Sequence, residues 1–192
     1  NRGSRLMALV IKGSSSGQVT ADVPAAAGTN TLTIPASTGT LLTTSNQSTN
    51  TPAFVIRLAS GQTISDNTVT KVGFDTEDVD TDGAFASNKF TVPSGKAGLY
   101  KFDVIVRLSA ISANNLDSSI AYLYKNGTTQ HIVFNDYETN YTKSITMNIN
   151  SILNLSEGDY IEVYVACNTV NGGNATVTHN KYAVFSGHKL IT

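Results

Sequence analysis

The densest chemistry in this chain is acidic: Asp75-Thr76-Glu77-Asp78-Val79-Asp80-Thr81-Asp82-Gly83 places five carboxylates within eight residues. Within it, Asp78, Asp80 and Asp82 followed by Gly83 imitate the opening of a calcium loop, in which alternate carboxylates converge on one hard cation. The imitation stops short, because the twelfth position counted from Asp78 is Lys89, where such a loop needs a bidentate Glu. Two readings follow. The run is a solvated turn between strands, or Asp78, Asp80 and Asp82 form a calcium site, since crowded carboxylates repel one another unless hydrated or bound to a cation.

Groupings suited to catalysis are weaker. Gly13-Ser14-Ser15-Ser16-Gly17 spells Gly-x-Ser-x-Gly, but a nucleophile elbow needs a strand before it, a helix after it, and His and Asp partners, so the segment reads as a linker. His131, His179 and His188 show no ligand spacing to one another or to Cys167. The single cysteine lies in the apolar alternation Tyr160-Ile161-Glu162-Val163-Tyr164-Val165-Ala166-Cys167 and reads as a buried thiol. With no phosphate-cradling loop and no paired carboxylates in an apolar setting, neither catalysis nor a bound cofactor other than calcium is expected.

Recognition chemistry is better supplied. In Asn135-Asp136-Tyr137-Glu138-Thr139-Asn140-Tyr141 two tyrosines alternate with amide and carboxylate groups, so Tyr137, Asn140 and Tyr141 can stack on a sugar ring while bonding its hydroxyls. Asn168-Thr169-Val170-Asn171-Gly172-Gly173-Asn174 is a second polar loop and adds Asn171 and Asn174. The plainer alternative is that both are ordinary loops whose tyrosines cover the end of the fold.

The elements that position these groups are short strands. From Ala53 onward about ten alternating runs are separated by Gly, Asn, Asp and Pro, among them Phe54 to Leu58, Thr68 to Phe74, Leu99 to Leu108, Ile120 to Tyr124, His131 to Phe134, Ser144 to Leu153, Tyr160 to Cys167 and Tyr182 to Leu190. In Leu99 to Leu108 the even positions are apolar while 101, 103 and 107 are charged, which puts one face in a core and one in water. Asn126-Gly127 supplies the two positive-φ residues of a tight hairpin turn. Such spacing argues for an antiparallel sandwich or jelly roll.

Composition divides the chain near residue 50. Residues 1–6 read as a cloning remnant, and residues 7–50 are rich in Gly, Ser, Thr and Ala. There, Val19 to Val23 and Leu32 to Ile34 read as two short strands around a turn at 24–30, a hairpin too small to stand alone. Residues 53–192 hold every Tyr and Phe. Charged residues make up only 14% and the formal net charge is -1, so no long-range field attracts nucleic acid or an anionic membrane. No stretch approaches the roughly 20 apolar residues that span a bilayer.

In order, Phe90-Thr91-Val92-Pro93, Gly98-Leu99-Tyr100-Lys101-Phe102, Lys125-Asn126-Gly127, Leu155-Ser156-Glu157-Gly158-Asp159 and Phe185-Ser186-Gly187 resemble the globular head of the C1q family over residues 53–192. The resemblance implies an all-β, ten-strand antiparallel jelly-roll sandwich, shared with the tumour necrosis factor family, that assembles as a homotrimer and acts as a non-enzymatic binding module. It departs from the family at Pro93-Ser94-Gly95-Lys96-Ala97-Gly98, longer than the usual Pro-Val-Ala-Gly, and in having no collagen repeat ahead of the head. In the stalk's place, Pro24 to Leu42 resembles a segment of bacteriophage tail-fibre and other virion structural proteins. Together these resemblances imply a virion protein at the particle surface, in which residues 7–50 attach to other virion proteins and the head meets a host-surface glycan or protein. Capsid decoration at three-fold sites and a free secreted C1q-like protein are the alternatives. Apolar strand faces carrying Tyr122, Tyr124 or Phe185 are expected to hold the trimer.

Overall fold

The computed structural model describes residues 9–12, 15–16, 18–21, 50–111 and 115–190. The chain divides into two compact units, residues 1–45 and 46–192. In the first, β1 (Leu9–Lys12) pairs antiparallel with β2 (Gln18–Ala21), and Ser15 and Ser16 lie exposed in the bend between them. The strand read at Val19 to Val23 thus overlaps β2, but its partner is Leu9–Lys12; the strand read at Leu32 to Ile34 and its turn lie outside the described residues.

The second unit is a sandwich of two antiparallel sheets. Its strands are β3 (Ala53–Arg57), β4 (Gln62–Ile64), β5 (Thr70–Lys71), β6 (Thr76–Asp80), β7 (Phe85–Ala86), β8 (Lys89–Thr91), β9 (Gly98–Ala110), β10 (Leu116–Lys125), β11 (Thr128–Asp136), β12 (Ser144–Leu155), β13 (Tyr160–Thr169), β14 (Ala175–Val177) and β15 (Ala183–Lys189). One sheet runs β11-β10-β13-β8-β7, with β5 also on β13. In the other, β9 carries β12 along one edge and β14 and β15 along the other, and β15 leads on to β3 and β6. This is the expected jelly roll. More strands are present than the ten anticipated, because β4, β5 and β7 are segments of two or three residues, too short to show an alternation.

Period-two patterning builds the core. Tyr100, Phe102, Val104, Val106 and Leu108 all point inward from β9 and are essentially sealed from water, while Ile161, Val163, Val165 and Cys167 answer from β13. Each such large apolar side chain contributes roughly 1.5–3 kcal/mol on burial. At one end Phe54, Phe85, Phe90, Phe102 and Phe185 form an aromatic cluster, with Phe54 stacked on Phe90 at 4.8 Å and edge-on to Phe185 at 4.9 Å. Phe185 is therefore a core residue with no exposed surface, and it cannot hold a trimer as expected, because a side chain turned into the sandwich by the alternation of β15 is not available to a second chain.

The sandwich has two distinct ends. Residues 50–52 enter β3 at the end where β9 begins, and Leu190 leaves there too, its N–H donating to the Leu99 carbonyl at 2.8 Å. The Asn126-Gly127 turn lies at this same end, with φ of 52° and 76° as a tight hairpin requires. Asp159 clasps it: the carboxylate meets Lys125 Nζ at 2.8 Å and accepts from Asn126 Nδ2 at 2.7 Å and from the Ser156 N–H at 2.8 Å. The opposite end is reached by the 13 residues of β9, about 40 Å away at the rise of an extended strand.

Candidate functional site

The acidic run is part strand and part bend, residues 81–83 forming the bend, and its carboxylates are drawn to separate partners. Residues 76–80 are β6, paired in antiparallel register with β3, which the sequence reading missed because acidic residues are rare in strands. The strand is tolerated there because β6 lies at the sheet's margin and its carboxylates find separate partners. Asp78 forms an ion pair with Arg57 across the pair, and hydrogen bonding from that guanidinium holds the carboxyl below its usual range. Asp80 instead caps the following turn, accepting from the N–H groups of Ala84 at 3.0 Å and Phe85 at 2.9 Å. Asp82 accepts from Thr81 Oγ1 at 2.8 Å and lies 3.8 Å from Lys96 Nζ. Among the described residues no group of three His, Cys, Asp or Glu side chains is placed to hold a metal ion.

The loop candidates, in contrast, are brought together at the end of the sandwich away from residues 50–52. Three connections meet there: the one flanked by Ile111 and Asn115, residues 137–143 and residues 170–174. They are tied by the Ile111 N–H to the Asn174 carbonyl at 3.1 Å, Val170 N–H to Asn115 at 3.0 Å, Leu116 N–H to Thr142 at 3.0 Å and Tyr137 N–H to Asp117 at 2.9 Å. Below them Asp66 receives both the N–H and the hydroxyl of Thr169, at 2.7 and 3.0 Å, so the β4–β5 connection braces the same end.

Not every candidate faces outward. Tyr137 packs against the core and its hydroxyl meets the fully buried Ser119 Oγ at 3.1 Å; burial pushes the phenol pKa up, and the serine bond draws it partly back. It is a strut for the loop. Asn140 is exposed and closes a turn by donating its N–H to the Tyr137 carbonyl at 2.7 Å, and Tyr141 is 40% exposed. Asn171 and Asn174 are exposed in the neighbouring turn, beside the exposed Val170 and Ile111. The histidines stay apart: His131 on β11, His188 on β15, and His179 ahead of the single-turn helix Asn180–Tyr182. Cys167 is buried, and that burial raises its thiol pKa, as befits a packing residue.

The sequence marked the face carrying Tyr122 and Tyr124 but not two further features. The first is the set of apolar side chains exposed around that face and, singly, on the other sheet. On one sheet, Phe134 lies opposite Ile120, which lies opposite Ala166, and Ile132 lies opposite Tyr122, which lies opposite Tyr164. Tyr124 stacks on Tyr164 at 4.6 Å and meets Tyr122 edge-on at 5.8 Å, yet Ile132 and Phe134 remain 57% and 56% exposed. On the other sheet, Ile152 is 60% exposed beside Lys101 and Ile105 is exposed opposite Val184, with Asp103 and Asn150 between them. The second feature is a cleft of about 380 Å³ lined by Arg57, Thr178, His179, Asn180, Lys181 and Tyr182, with the Arg107 guanidinium 5.1 Å above the Tyr182 ring. Register, which only pairing reveals, creates the first; the fold of residues 178–182 over the β9 sheet creates the second.

No curated protein sequence matches the chain. Among solved structures, it is similar to the globular domain of zebrafish complement 1qA protein, at 18% identity and a TM-score of 0.54, covering 73% of this chain and 97% of that one. It is also similar to the Eiger TNF of S. frugiperda, at 13% identity and a TM-score of 0.50, covering 73% of this chain and 94% of that one. Both likenesses are of fold. Residues 53–190 match the C1q domain, and they include the two sheets, the aromatic cluster and the three clustered loops, so the chain belongs to the C1q domain family.

Proposed function

We propose that the chain is a non-enzymatic, trimeric structural and adhesion protein of a bacteriophage particle, most naturally a tail-fibre or receptor-binding tip that touches the host surface. One observation carries this reading: the chain enters and leaves the head at one end, while Asn140, Tyr141, Asn171 and Asn174 are gathered at the other. A module joined to a particle through its first unit would thus present those side chains outward. Their chemistry, an aromatic face among amides, suits a surface glycan or protein. The apolar patch on one sheet and the exposed isoleucines on the other support the trimer, since a closed three-fold ring needs a different surface on each side of every protomer. The virion assignment leans on the likeness of Pro24 to Leu42 to phage structural proteins.

Capsid decoration is the second reading, because a trimer with all attachment at one end also suits a three-fold site on a shell. Gold-labelled antibody against the head, applied to intact particles, tests both: label at the tail supports adhesion, label across the capsid overturns it in favour of decoration, and particles without label overturn both. Sedimentation of the purified chain at low concentration should give the mass of three copies.

A further inference from the structure

Two Asn-Gly pairs occur in the sequence, Asn126-Gly127 and Asn171-Gly172, and the fold treats them in opposite ways. Glycine has no side chain to keep its amide nitrogen from the preceding side-chain carbonyl, so an asparagine before it can close on the backbone. At Asn126 this closure is blocked. Its Nδ2 donates to Asp159 Oδ1 at 2.7 Å, its Oδ1 accepts from the Tyr160 N–H at 2.8 Å, and its own N–H donates to the Tyr160 carbonyl at 3.0 Å. Turning Cγ toward Gly127 would break two side-chain hydrogen bonds, one of them to a charged group.

The Asn171 side chain has no such restraint. It is exposed, and among the described residues no hydrogen bond holds its side chain. Gly172 beside it lies in open space, with no heavy atom within 4 Å of where a β-carbon would be, and φ +63°. We infer that Asn171 is a site of spontaneous deamidation, and that Asn126 is protected by the Asp159 clasp.

The reaction balances with water alone. The Gly172 N–H first leaves the Thr169 carbonyl, which it meets at the long distance of 3.2 Å; the nitrogen then gives its proton to solvent base and attacks Asn171 Cγ, forming an N–C bond that closes a five-membered imide. The Cγ–Nδ2 bond breaks, and Nδ2 leaves as ammonia with a proton returned from solvent. Water then opens either imide carbonyl, yielding aspartate or isoaspartate; one water is consumed and one ammonia released. The product adds a negative charge to a chain whose formal net charge is -1. Isoaspartate also lengthens the backbone by a methylene, inside a turn closed by the Gly172 N–H to the Thr169 carbonyl at 3.2 Å and Thr169 Oγ1 to the Gly173 carbonyl at 2.9 Å. The inference stands whether or not these loops touch a receptor.

Incubation of the full chain at mildly alkaline pH, followed by digestion and tandem mass spectrometry, tests it. The peptide holding Asn171 gains about one mass unit and splits into two species, aspartate and isoaspartate. Asn126 should react slower by about tenfold or more, as breaking a charge-assisted bond requires. In urea the two sites should react alike. Asp159→Ala, checked by its circular dichroism, should raise the Asn126 rate toward that of Asn171. Equal rates in the folded chain, a faster Asn126, or an Asn126 rate unmoved in folded Asp159→Ala would each overturn the proposal.

Discussion

Gly187 on β15 lies so close to Phe102 on β9 that a β-carbon at residue 187 would sit 2.6 Å from Phe102 Cδ1 and 2.9 Å from Phe54 Cε1. The side-chain position of Gly187 is occupied by the aromatic cluster. Gly187→Ala should therefore destabilise the head by about 1–3 kcal/mol through overpacking, read as a lower urea midpoint. Adding Phe102→Leu should recover part of that loss, because the two positions share one volume; strict additivity of the two changes would contradict it.

Asp159 ties the β10–β11 turn to the chain ahead of β13, and its hydrogen bonds from Lys125, Asn126 and the Ser156 N–H lower its pKa from 3.8 to about 2. A carboxyl lowered in the folded state stabilises it above the unfolded value, and that stabilisation is lost as pH falls through the folded one. Between about pH 4 and about pH 2 the unfolding free energy should decline more gently in Asp159→Asn than in the parent chain, as followed by urea titrations across that range.

The apolar patch of one sheet and the exposed isoleucines of the other give the trimer a test with internal controls. Ile132→Asp combined with Phe134→Asp should leave monomers in sedimentation, and so should Ile105→Asp combined with Ile152→Asp on the other sheet. Because each variant keeps one good surface, mixing the two should form a single junction and yield heterodimers. A mixture that stays monomeric would exclude these surfaces as the two halves of one contact.

Tyr137 and Tyr141 should separate stability from recognition. Tyr137→Phe removes the partner of the buried Ser119 and should cost about 1 kcal/mol. Tyr141→Ala, at an exposed position, should cost no more than about 0.5 kcal/mol while weakening retention on the cell surface or glycan that the head binds. Melting curves and a cell-binding assay would report the two effects.

Asp78, Asp80 and Asp82 each have partners within the chain, so calcium or a chelator should leave the melting temperature unchanged. A rise with calcium would return the run to the status of a cation site. It would also require β6 to part from β3 or Arg57 to release Asp78.

The long strands were legible because each repeats its alternation many times: the inward series from Tyr100 to Leu108 holds at every position. β6 was hidden because its stabilisation comes from pairing with β3 and from Arg57, a residue 21 positions away, which local composition does not encode. Thr68 to Phe74 read as one strand, yet the ladder with β13 is confined to Thr70–Lys71, with the Val72 N–H adding a bond to the Val163 carbonyl at 2.9 Å. Among the loop residues, polarity marked Asn140, Asn171 and Asn174 as exposed. Nothing local announced that Tyr137 would turn its hydroxyl to Ser119, because Ser119 is 18 residues away on a neighbouring strand.

The position of residues 50–52 has a mechanical consequence. A pull applied at Pro52 and resisted at the distal loops runs lengthwise along β3, which is hydrogen-bonded to β15 on one side and β6 on the other. Such a load shears both ladders at once, so several bonds must fail together instead of peeling one by one. Tension from a tether would thus be borne by a strand held from both flanks.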